Sequence, residues 1–309
     1  GTPFSYNDLY AELEDRDNFT VETYPAIDTK GEALWPQRWD LEALKQRENS
    51  MPAIKFAREY LCEPIHDLSS MFPMSMLEKA RDSELFLLQK AEQEFDENGE
   101  SAGTFGQHFV GWDPAIASDA NADYTAMIIL RILPDSDEKQ VVYSVHQKGL
   151  NSSAQKREII MLNSRFRPDL IELEGNNFQR MFEVELKEMR EDIPIKTFMT
   201  TRQKKESMFM SLLLAFEQGQ IKTPWGDEKS KEFTRKLEIE LSRFGMQKNG
   251  RLESVGSHDD LAMALALANW ATKEFKGSIV MLDDYLDGFD KWFGDAPQNS
   301  VAGAEWFTI

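Results

Sequence analysis

The sequence predicts an α/β fold in which a mixed sheet of antiparallel and parallel strands is flanked by helices. Three strand-like apolar segments follow one another closely, at residues 108–110, 126–133 and 140–146, and this order indicates an antiparallel meander. From residue 153 onward, amphipathic helical segments alternate with short strand-like segments, which is typical of helix–strand units that contribute parallel strands.

The segment before the meander predicts mostly helical structure. Residues 19–27 alternate loosely and indicate a strand, whereas Asp40 is placed to cap a helix to about residue 47 and Pro52 to begin a helix to about residue 61. Residues 72–90 are expected to be at least partly helical. Residues 92–103 are polar and acidic and contain glycine, which favours an exposed loop.

The segment after the meander predicts helix–strand units and then a buried helix. The expected helices span residues 153–165, 178–190, 204–218 and 228–242, and the expected strands span residues 169–173, 193–198 and 221–224. Residues 245–255 predict a hairpin around the turn dipeptide Asn249-Gly250. The helix expected over residues 258–275 is almost wholly apolar from Leu261 to Trp270, so we expect it to be buried against the sheet.

Composition limits the class of protein. The chain has 309 residues, 41% hydrophobic and 11% aromatic, which is typical of a globular protein with a substantial core. The one cysteine, Cys62, fits a reducing cytoplasm, and the scattered histidines argue against a structural zinc site. No apolar run approaches the roughly 18–20 residues of a membrane helix, and no signal peptide is visible. The net charge of −19 repels phosphate at long range, unless a basic groove or metal ions offset it locally.

Three separated acidic segments suggest a metal site. Asp113 ends the first strand of the meander, Glu174 ends the strand at residues 169–173, and Asp259 and Asp260 begin the buried helix. Neighbouring parallel strands end at the same edge of a sheet, so these carboxylates are expected to converge there. Clustered acids repel one another unless a cation lies between them, and hard oxygen ligands select Mg²⁺ or Mn²⁺. Two such ions about 3.5–4 Å apart can support phosphodiester hydrolysis.

Each acid also has a purely structural interpretation. Asp113-Pro114 can be a turn, Glu174 a surface acid, Asp259 a helix N-cap, and Asp260 a residue that stabilises the helix dipole. These interpretations stay open for each residue alone. Together, however, they do not account for the position of these acids at the ends of two strands and at the start of the buried helix.

Four segments, in this order, resemble the C-terminal part of the large subunit of tailed-phage terminases, the DNA-packaging motors. They are VGWDPAIASDANADYT at residues 110–125, LIELEGNNFQ at 170–179, TTRQKKES at 200–207 and GSHDDLAMALALAN at 256–269. Upstream, GTPFSYNDLY at residues 1–10 resembles the coupling segment that ends the ATPase sheet. ALWPQRWDLEAL at 33–44 and FAREYLCEP at 56–64 resemble the lid subdomain that follows it. The resemblance covers about residues 1–271.

The resemblance implies a ribonuclease-H-like endonuclease that cuts concatemeric double-stranded DNA with two metal ions. It assigns the catalytic and metal-binding acids to Asp113, Glu174 and Asp260, with Asp259 as a neighbouring acid that could substitute or assist. Asp123 and His258 would have supporting roles. The ATPase motifs of the family are missing, so the chain resembles the nuclease with only the edge of the motor attached.

A short basic segment suggests a DNA contact. Arg202, Lys204 and Lys205 precede or begin a predicted helix, where they could contact phosphates beside the cleavage site. A later helix carries further basic residues: Lys229, Lys231, Arg235 and Lys236. The alternative for both groups is a solvated helix face with pairs such as Lys236 and Glu240 four residues apart.

The resemblance also implies an organisation and a set of partners. Residues 1–70 would be the end of the ATPase core and the lid or linker subdomain, 71–276 the nuclease domain, and 277–309 an acidic tail. The tail either docks on the portal or another subunit or packs back on the domain. The implied partners are double-stranded DNA, the small terminase subunit, the portal protein of the procapsid and the N-terminal ATPase domain of the same polypeptide. No membrane is involved, and the host cytoplasm is the expected location.

Other functions stay open at this point. A resolvase or transposase would share the acidic triad, and a non-catalytic coupling or portal-docking module would share the fold. A sugar-kinase-like ATPase also has an acid at a strand tip, but it needs a glycine- and threonine-rich loop where Pro114-Ala115-Ile116-Ala117 stands. Neither a G-x-G-x-x-G segment after a strand nor a G-x-x-x-x-G-K-[ST] loop is present, so we expect no dinucleotide binding and no ATP hydrolysis by this chain alone.

Overall fold

The computed structural model describes residues 13, 19–20, 22–28, 30–63, 70–95, 101–115, 124–134, 136–175, 180–246, 252–254 and 259–275. The predicted turn at Asn249-Gly250 and the predicted tail at 277–309 lie outside these residues. The chain divides into two compact units, Gly1–Ala271 and Thr272–Ile309. Of the second unit, the structure describes only the end of the last helix.

The described elements alternate in the predicted manner. The helices are α1 (Leu41–Asn49), α2 (Ala53–Leu61), α3 (Met74–Lys79), α4 (Ser152–Phe166), α5 (Arg180–Met189), α6 (Arg202–Glu217), α7 (Glu228–Ser242) and α8 (Asp260–Phe275). The strands are β1 (Arg81–Asp82), β2 (Gln93–Phe95), β3 (Ser101–Thr104), β4 (Gln107–Asp113), β5 (Tyr124–Ile132), β6 (Lys139–Lys148), β7 (Leu170–Gly175), β8 (Ile195–Met199), β9 (Ile221–Pro224), β10 (Phe244–Met246) and β11 (Leu252–Ser254).

Seven strands form one mixed sheet in the order β1-β9-β6-β5-β4-β7-β8. The pairs β4–β5 and β5–β6 are antiparallel, whereas β4–β7, β7–β8, β6–β9 and β1–β9 are parallel. The predicted meander and parallel strands are therefore confirmed, and the arrangement matches a ribonuclease-H-like α/β fold. The predicted hairpin near the C-terminal end is also confirmed, as the antiparallel pair β10–β11.

Helices cover both faces of the sheet, because successive residues of its central strands alternate between two apolar cores. On one face, α4 and α5 pack over inward-pointing residues such as Val110 and Trp112. On the other face, α6, α7 and α8 pack over residues such as Ala126 and Ile128. Within the described helices, none is both long and apolar enough to cross a membrane.

Helix α8 lies unusually close to the sheet. Every residue from Leu261 to Ala268 is at most 3% exposed. A Cβ atom added at Gly111 of β4 would lie 1.9 Å from the carbonyl oxygen of Ala264 and 2.5 Å from the amide nitrogen of Ala268. The missing side chain of Gly111 and the alanines of α8 are thus what let the two backbones touch.

The N-terminal helices pack on α6 through polar contacts. The Asp40 carboxylate accepts a hydrogen bond from the Ala43 amide and caps α1, as predicted. The Ala53 amide at the start of α2 donates to Glu217 at 3.1 Å, and the Gln218 side chain donates to the Asn49 carbonyl at 3.2 Å.

Two predictions for the first hundred residues were wrong, and a third was confirmed. In the region 19–27, the described residues form no extended strand and hold only an isolated bridge from Ile27 to Ala33. The expectation that residues 72–90 are at least partly helical is confirmed, because Met74–Lys79 forms a helix there. The expected loop at 92–103 contains parts of the β2–β3 hairpin, which is anchored by an ion pair between Glu92 and Arg131 of β5. That pair joins residues far apart in sequence, so local composition could not show it.

Candidate active site

Asp113 and Glu174 lie side by side at one edge of the sheet. Asp113 is the last residue of β4, and Glu174 is the penultimate residue of β7. The parallel register that pairs Trp112 with Leu173 places the two acids beside each other. Since Gly111 faces α8, Asp113 two residues later points to the same face of the sheet, beneath the start of that helix.

Glu174 is held by the neighbouring strand. The hydroxyl of Thr200, just after β8, donates a hydrogen bond to the Glu174 carboxylate at 3.2 Å. Glu174 itself pairs with Phe198 of β8. Sequence reasoning missed Thr200, although its position just after a strand parallel to the one bearing Glu174 was an available signal. It also missed Glu172, a fully buried acid that pairs with Gly111 on the same face.

Helix α8 brings the other two acids to this edge. Asp260 is its first residue and is 7% exposed, while Asp259 precedes it and is more accessible. The Asp259 carbonyl accepts a hydrogen bond from the Met263 amide, and the Asp259 carboxylate lies 3.3 Å from the ammonium nitrogen of Lys205. The two acids of one dipeptide therefore have different surroundings.

The other three acids all act electrostatically on Asp113. Burial, followed by the charge of Glu174 and a hydrogen-bonding interaction with it, raises the pKa of Asp113 well above its usual value. The negative charges of Asp260 and Asp259 raise the pKa of Asp113 further. Asp113 thus holds a proton more tightly than an ordinary aspartate, as expected for a buried carboxylate close to other carboxylates.

The donor set fits a hard divalent cation. Carboxylate oxygens are the ligands that Mg²⁺ and Mn²⁺ prefer, and a cation would relieve the repulsion that otherwise keeps a proton on Asp113. Across the residues that the structure describes, however, no three His, Cys, Asp or Glu side chains form a ready-made metal-binding group.

The predicted basic residues differ in how they approach the site. Lys205 is partly buried; besides contacting Asp259, its ammonium lies 5.9 Å and 5.6 Å from the ring centres of Phe209 and Phe244. Lys204 lies over the ring of Phe198. Arg202 is exposed at the first position of α6. Of these three basic residues, Lys205 is therefore the one that contacts an acid of the site.

Three of the four basic residues predicted on α7 pair within that helix. Lys231 and Arg235 lie 3.0 Å and 4.0 Å from Glu228, and Lys236 lies 2.8 Å from Glu232. The expected pair of Lys236 with Glu240 is wrong, because Lys236 pairs with Glu232 instead and the Glu240 side chain is buried, 6% exposed, where its carboxylate accepts hydrogen bonds from the amides of Leu261 and Ala262.

A second group beside the acids was not predicted. His146 on β6 pairs with Ala126, which in turn pairs with Asp113, so all three side chains point to the α8 face. The His146 ring stacks on Tyr124 with centroids 4.0 Å apart, and the Lys148 ammonium lies 4.8 Å from the centre of the Tyr124 ring. The sequence showed only a scattered histidine here. The predicted supporting residues Asp123 and His258 lie outside the described residues.

The chain is similar to known proteins in both sequence and structure. A family model described as "Terminase RNaseH-like domain" matches residues 110–270, just over half of the chain. No curated protein sequence matches the chain. The large terminase from a thermophilic bacteriophage, solved in complex with ADP, is similar at a TM-score of 0.55 and 10% sequence identity, over 88% of this chain and 60% of that chain, and this likeness concerns the fold alone.

Two isolated nuclease domains are also similar. The large terminase nuclease from thermophilic phage G20c with bound magnesium is 19% identical, over 66% of this chain and 97% of that chain, at a TM-score of 0.47. A Thermus phage large terminase nuclease domain is 19% identical, over 65% of this chain and 94% of that chain, at a TM-score of 0.44.

Proposed function

Because the chain belongs to the terminase RNase H-like domain family, we propose that it is a metal-dependent endonuclease of a viral DNA-packaging terminase, which hydrolyses phosphodiester bonds in concatemeric double-stranded DNA. The observation that carries the proposal is that Asp113 and Glu174 lie side by side on adjacent parallel strands, where the charges of Asp259 and Asp260 at the start of α8 also act on Asp113. Acids brought together from distant parts of the chain at such a cost are typical of a functional site rather than of a surface.

The proposed metal ligands are Asp113, Glu174 and Asp260, with Asp259 as the neighbouring acid, and the proposed cofactor is two Mg²⁺ or Mn²⁺ ions. When bound, such ions lower the pKa of a coordinated water and stabilise the negative charge of the leaving oxygen. The protein supplies rigidity: Asp113 and Glu174 stand on adjacent parallel strands, and Asp260 on a buried helix. Thr200 restrains the Glu174 carboxylate through its hydroxyl.

Lys205, Lys204 and Arg202 are proposed to contact DNA phosphates beside the acids. Lys205 already lies against Asp259, so a phosphate entering the site would meet an ammonium group held in place by aromatic neighbours. The net charge of −19 opposes binding elsewhere on the chain. We therefore expect weak, salt-sensitive binding of DNA by this chain alone.

The remaining parts of the proposal concern the wider assembly. Residues 1–70 would end the ATPase core and form the lid or linker, and residues 71–276 would form the nuclease. The proposed partners are double-stranded DNA, the small terminase subunit, the portal protein of the procapsid and the ATPase domain of the same polypeptide. The proposed location is the host cytoplasm, and the tail at 277–309 is proposed to dock on the portal or another subunit.

A plasmid-nicking assay with Mn²⁺ tests the activity. Wild-type protein should relax supercoiled plasmid. In Asp113→Ala and Asp260→Ala, the rate of cleavage should fall by at least about 100-fold, because each substitution removes a carboxylate that is proposed to bind the metal ions. Asp192→Ala is the matched control, since Asp192 is an exposed acid paired with Arg190 away from the site.

Circular dichroism should show that all three variants stay folded. Normal cutting by either Asp113→Ala or Asp260→Ala would show that the site assignment is wrong. If wild-type protein does not cut with Mn²⁺ or Mg²⁺, the chain is a non-catalytic coupling or docking module instead.

A further inference from the structure

Helix α8 begins with a cap supplied by another helix. The first amide groups of an α-helix have no partner within the helix and need one from outside. Here the carboxylate of Glu240, on α7, accepts hydrogen bonds from the amides of Leu261 at 2.8 Å and Ala262 at 3.1 Å, both through its Oε2 atom. The cap comes from a residue 21 positions earlier in the sequence.

Glu240 is built into the interior of the protein. It is 6% exposed, and its second oxygen, Oε1, lies 3.9 Å from the Nε2 atom of His146 on β6. The carboxylate therefore lies between the start of α8 and His146, which is aligned across the sheet with Ala126 and Asp113. Burying a carboxylate is costly unless it is well hydrogen-bonded, so its location here fits a specific role.

We propose that Glu240 is a positioning residue of this site: it fixes the first turn of α8 and thereby places the carboxylates of Asp259 and Asp260 opposite Asp113. The two acids immediately precede Leu261, so any displacement of the Leu261 amide moves them directly. A displacement of about 1 Å in a catalytic group can cost about 100-fold in rate. This role presupposes the nuclease site proposed above.

A matched control lies on the same helix. Glu238 is also a buried glutamate of α7, at 3% exposed, and it accepts two hydrogen bonds of 2.8 Å from Arg81. Removing either carboxylate leaves buried donors without their acceptor, so both changes should destabilise the fold. Of the two glutamates, Glu240 is the one that caps the helix carrying Asp260, so its removal alone should affect the site.

Two measurements on Glu240→Ala, Glu240→Gln and Glu238→Ala test the proposal. Hydrogen exchange without metal, followed by mass spectrometry over residues 259–265, should quicken about tenfold in Glu240→Ala, as expected when a helix cap is lost. Calorimetric titration with Mn²⁺ should show affinity reduced by about 10–100-fold in the same variant. Glu240→Gln keeps an oxygen acceptor and should recover most of both properties, and Glu238→Ala should resemble the wild type in both.

Several outcomes would overturn the positioning role. Wild-type exchange in Glu240→Ala would show that Glu240 does not hold the helix. Faster exchange with unchanged Mn²⁺ affinity would limit Glu240 to helix stability, and equal losses in Glu238→Ala would indicate general destabilisation. Should wild-type protein neither bind Mn²⁺ nor nick plasmid, the proposed function fails, and hydrogen exchange still decides whether Glu240 holds the start of α8.

Discussion

Replacing Gly111 with alanine adds one methyl group where the backbones of β4 and α8 meet. The new Cβ would lie 1.9 Å from the Ala264 carbonyl oxygen and 2.5 Å from the Ala268 amide nitrogen. Real Cβ atoms essentially never come within 3.0 Å of such atoms, so α8 would have to withdraw by about 1.1 Å. No side chain can rotate away to relieve the contact, because both opposing atoms belong to the backbone.

The expected cost is large for a single methyl group. Overpacking in a core costs about 1–3 kcal/mol, and a contact between two backbones belongs at the upper end, about 3 kcal/mol. In a protein of this size, this corresponds to a fall of about 6 °C in Tm. Withdrawal of α8 also carries Asp260 away from Asp113, so nicking should fall by about 100-fold even at temperatures where the variant is folded.

Thermal unfolding and the Mn²⁺ nicking assay, run side by side, test both parts of this prediction. Gly149→Ala is the control: nothing lies within 4 Å of a Cβ at Gly149, but its φ of +73° is unfavourable for alanine. That variant should lose about 1 kcal/mol from backbone strain and keep its nicking activity. A Gly111→Ala protein with wild-type stability and activity would refute the close contact between α8 and the sheet.

Three further predictions concern stability. Burial and then the charge of Arg131 lower the pKa of His108 from 6.5 to about 4. The neutral ring thus stabilises the folded state above pH 6.5, and that contribution is lost as the pH falls toward 4. In urea unfolding, the stability difference between the wild type and His108→Gln should shrink by about 2 kcal/mol from pH 8 to pH 5; a constant difference would contradict the burial. Arg81→Met should cost about 2 kcal/mol by leaving the Glu238 carboxylate without its paired donor, and a Glu238→Gln change in the same protein should recover part of it. Mn²⁺ at 100 times its Kd should stabilise the wild type by about 2.7 kcal/mol, and Asp260→Asn should lose this gain in thermal unfolding.

The order of elements was predictable because it rests on local patterns. The strand at Ile221–Pro224 and the helix at Glu228–Ser242 lie where hydrophobic periodicity placed them. The short β2–β3 hairpin was missed, because its ion pair to Arg131 joins residues 39 positions apart and outweighs the loop-like composition of the segment.

The candidate site was predictable in part for the same reason. A strand that ends in an acid is visible in the sequence, and this pattern alone predicts that Asp113 and Glu174 lie at one sheet edge. The different surroundings of Asp259 and Asp260 were not visible, since they depend on the approach of Lys205 from α6 to Asp259 and on the burial of Asp260. Thr200 and Glu240 were missed, because single polar residues carry no pattern until their partners are known.

The sequence by itself determined the alternation of strands and helices, the burial of α8 and the position of acids at the ends of β4 and β7 and at the start of α8, because these follow from periodicity and from residue chemistry within short segments. Only the tertiary structure decided that Gly111 allows α8 to touch the sheet, that Glu240 caps that helix from outside, and that Lys205 faces Asp259 rather than solvent. These contacts join residues more than 20 positions apart, and their energies depend on distances of a few ångströms that exist only once the chain has folded.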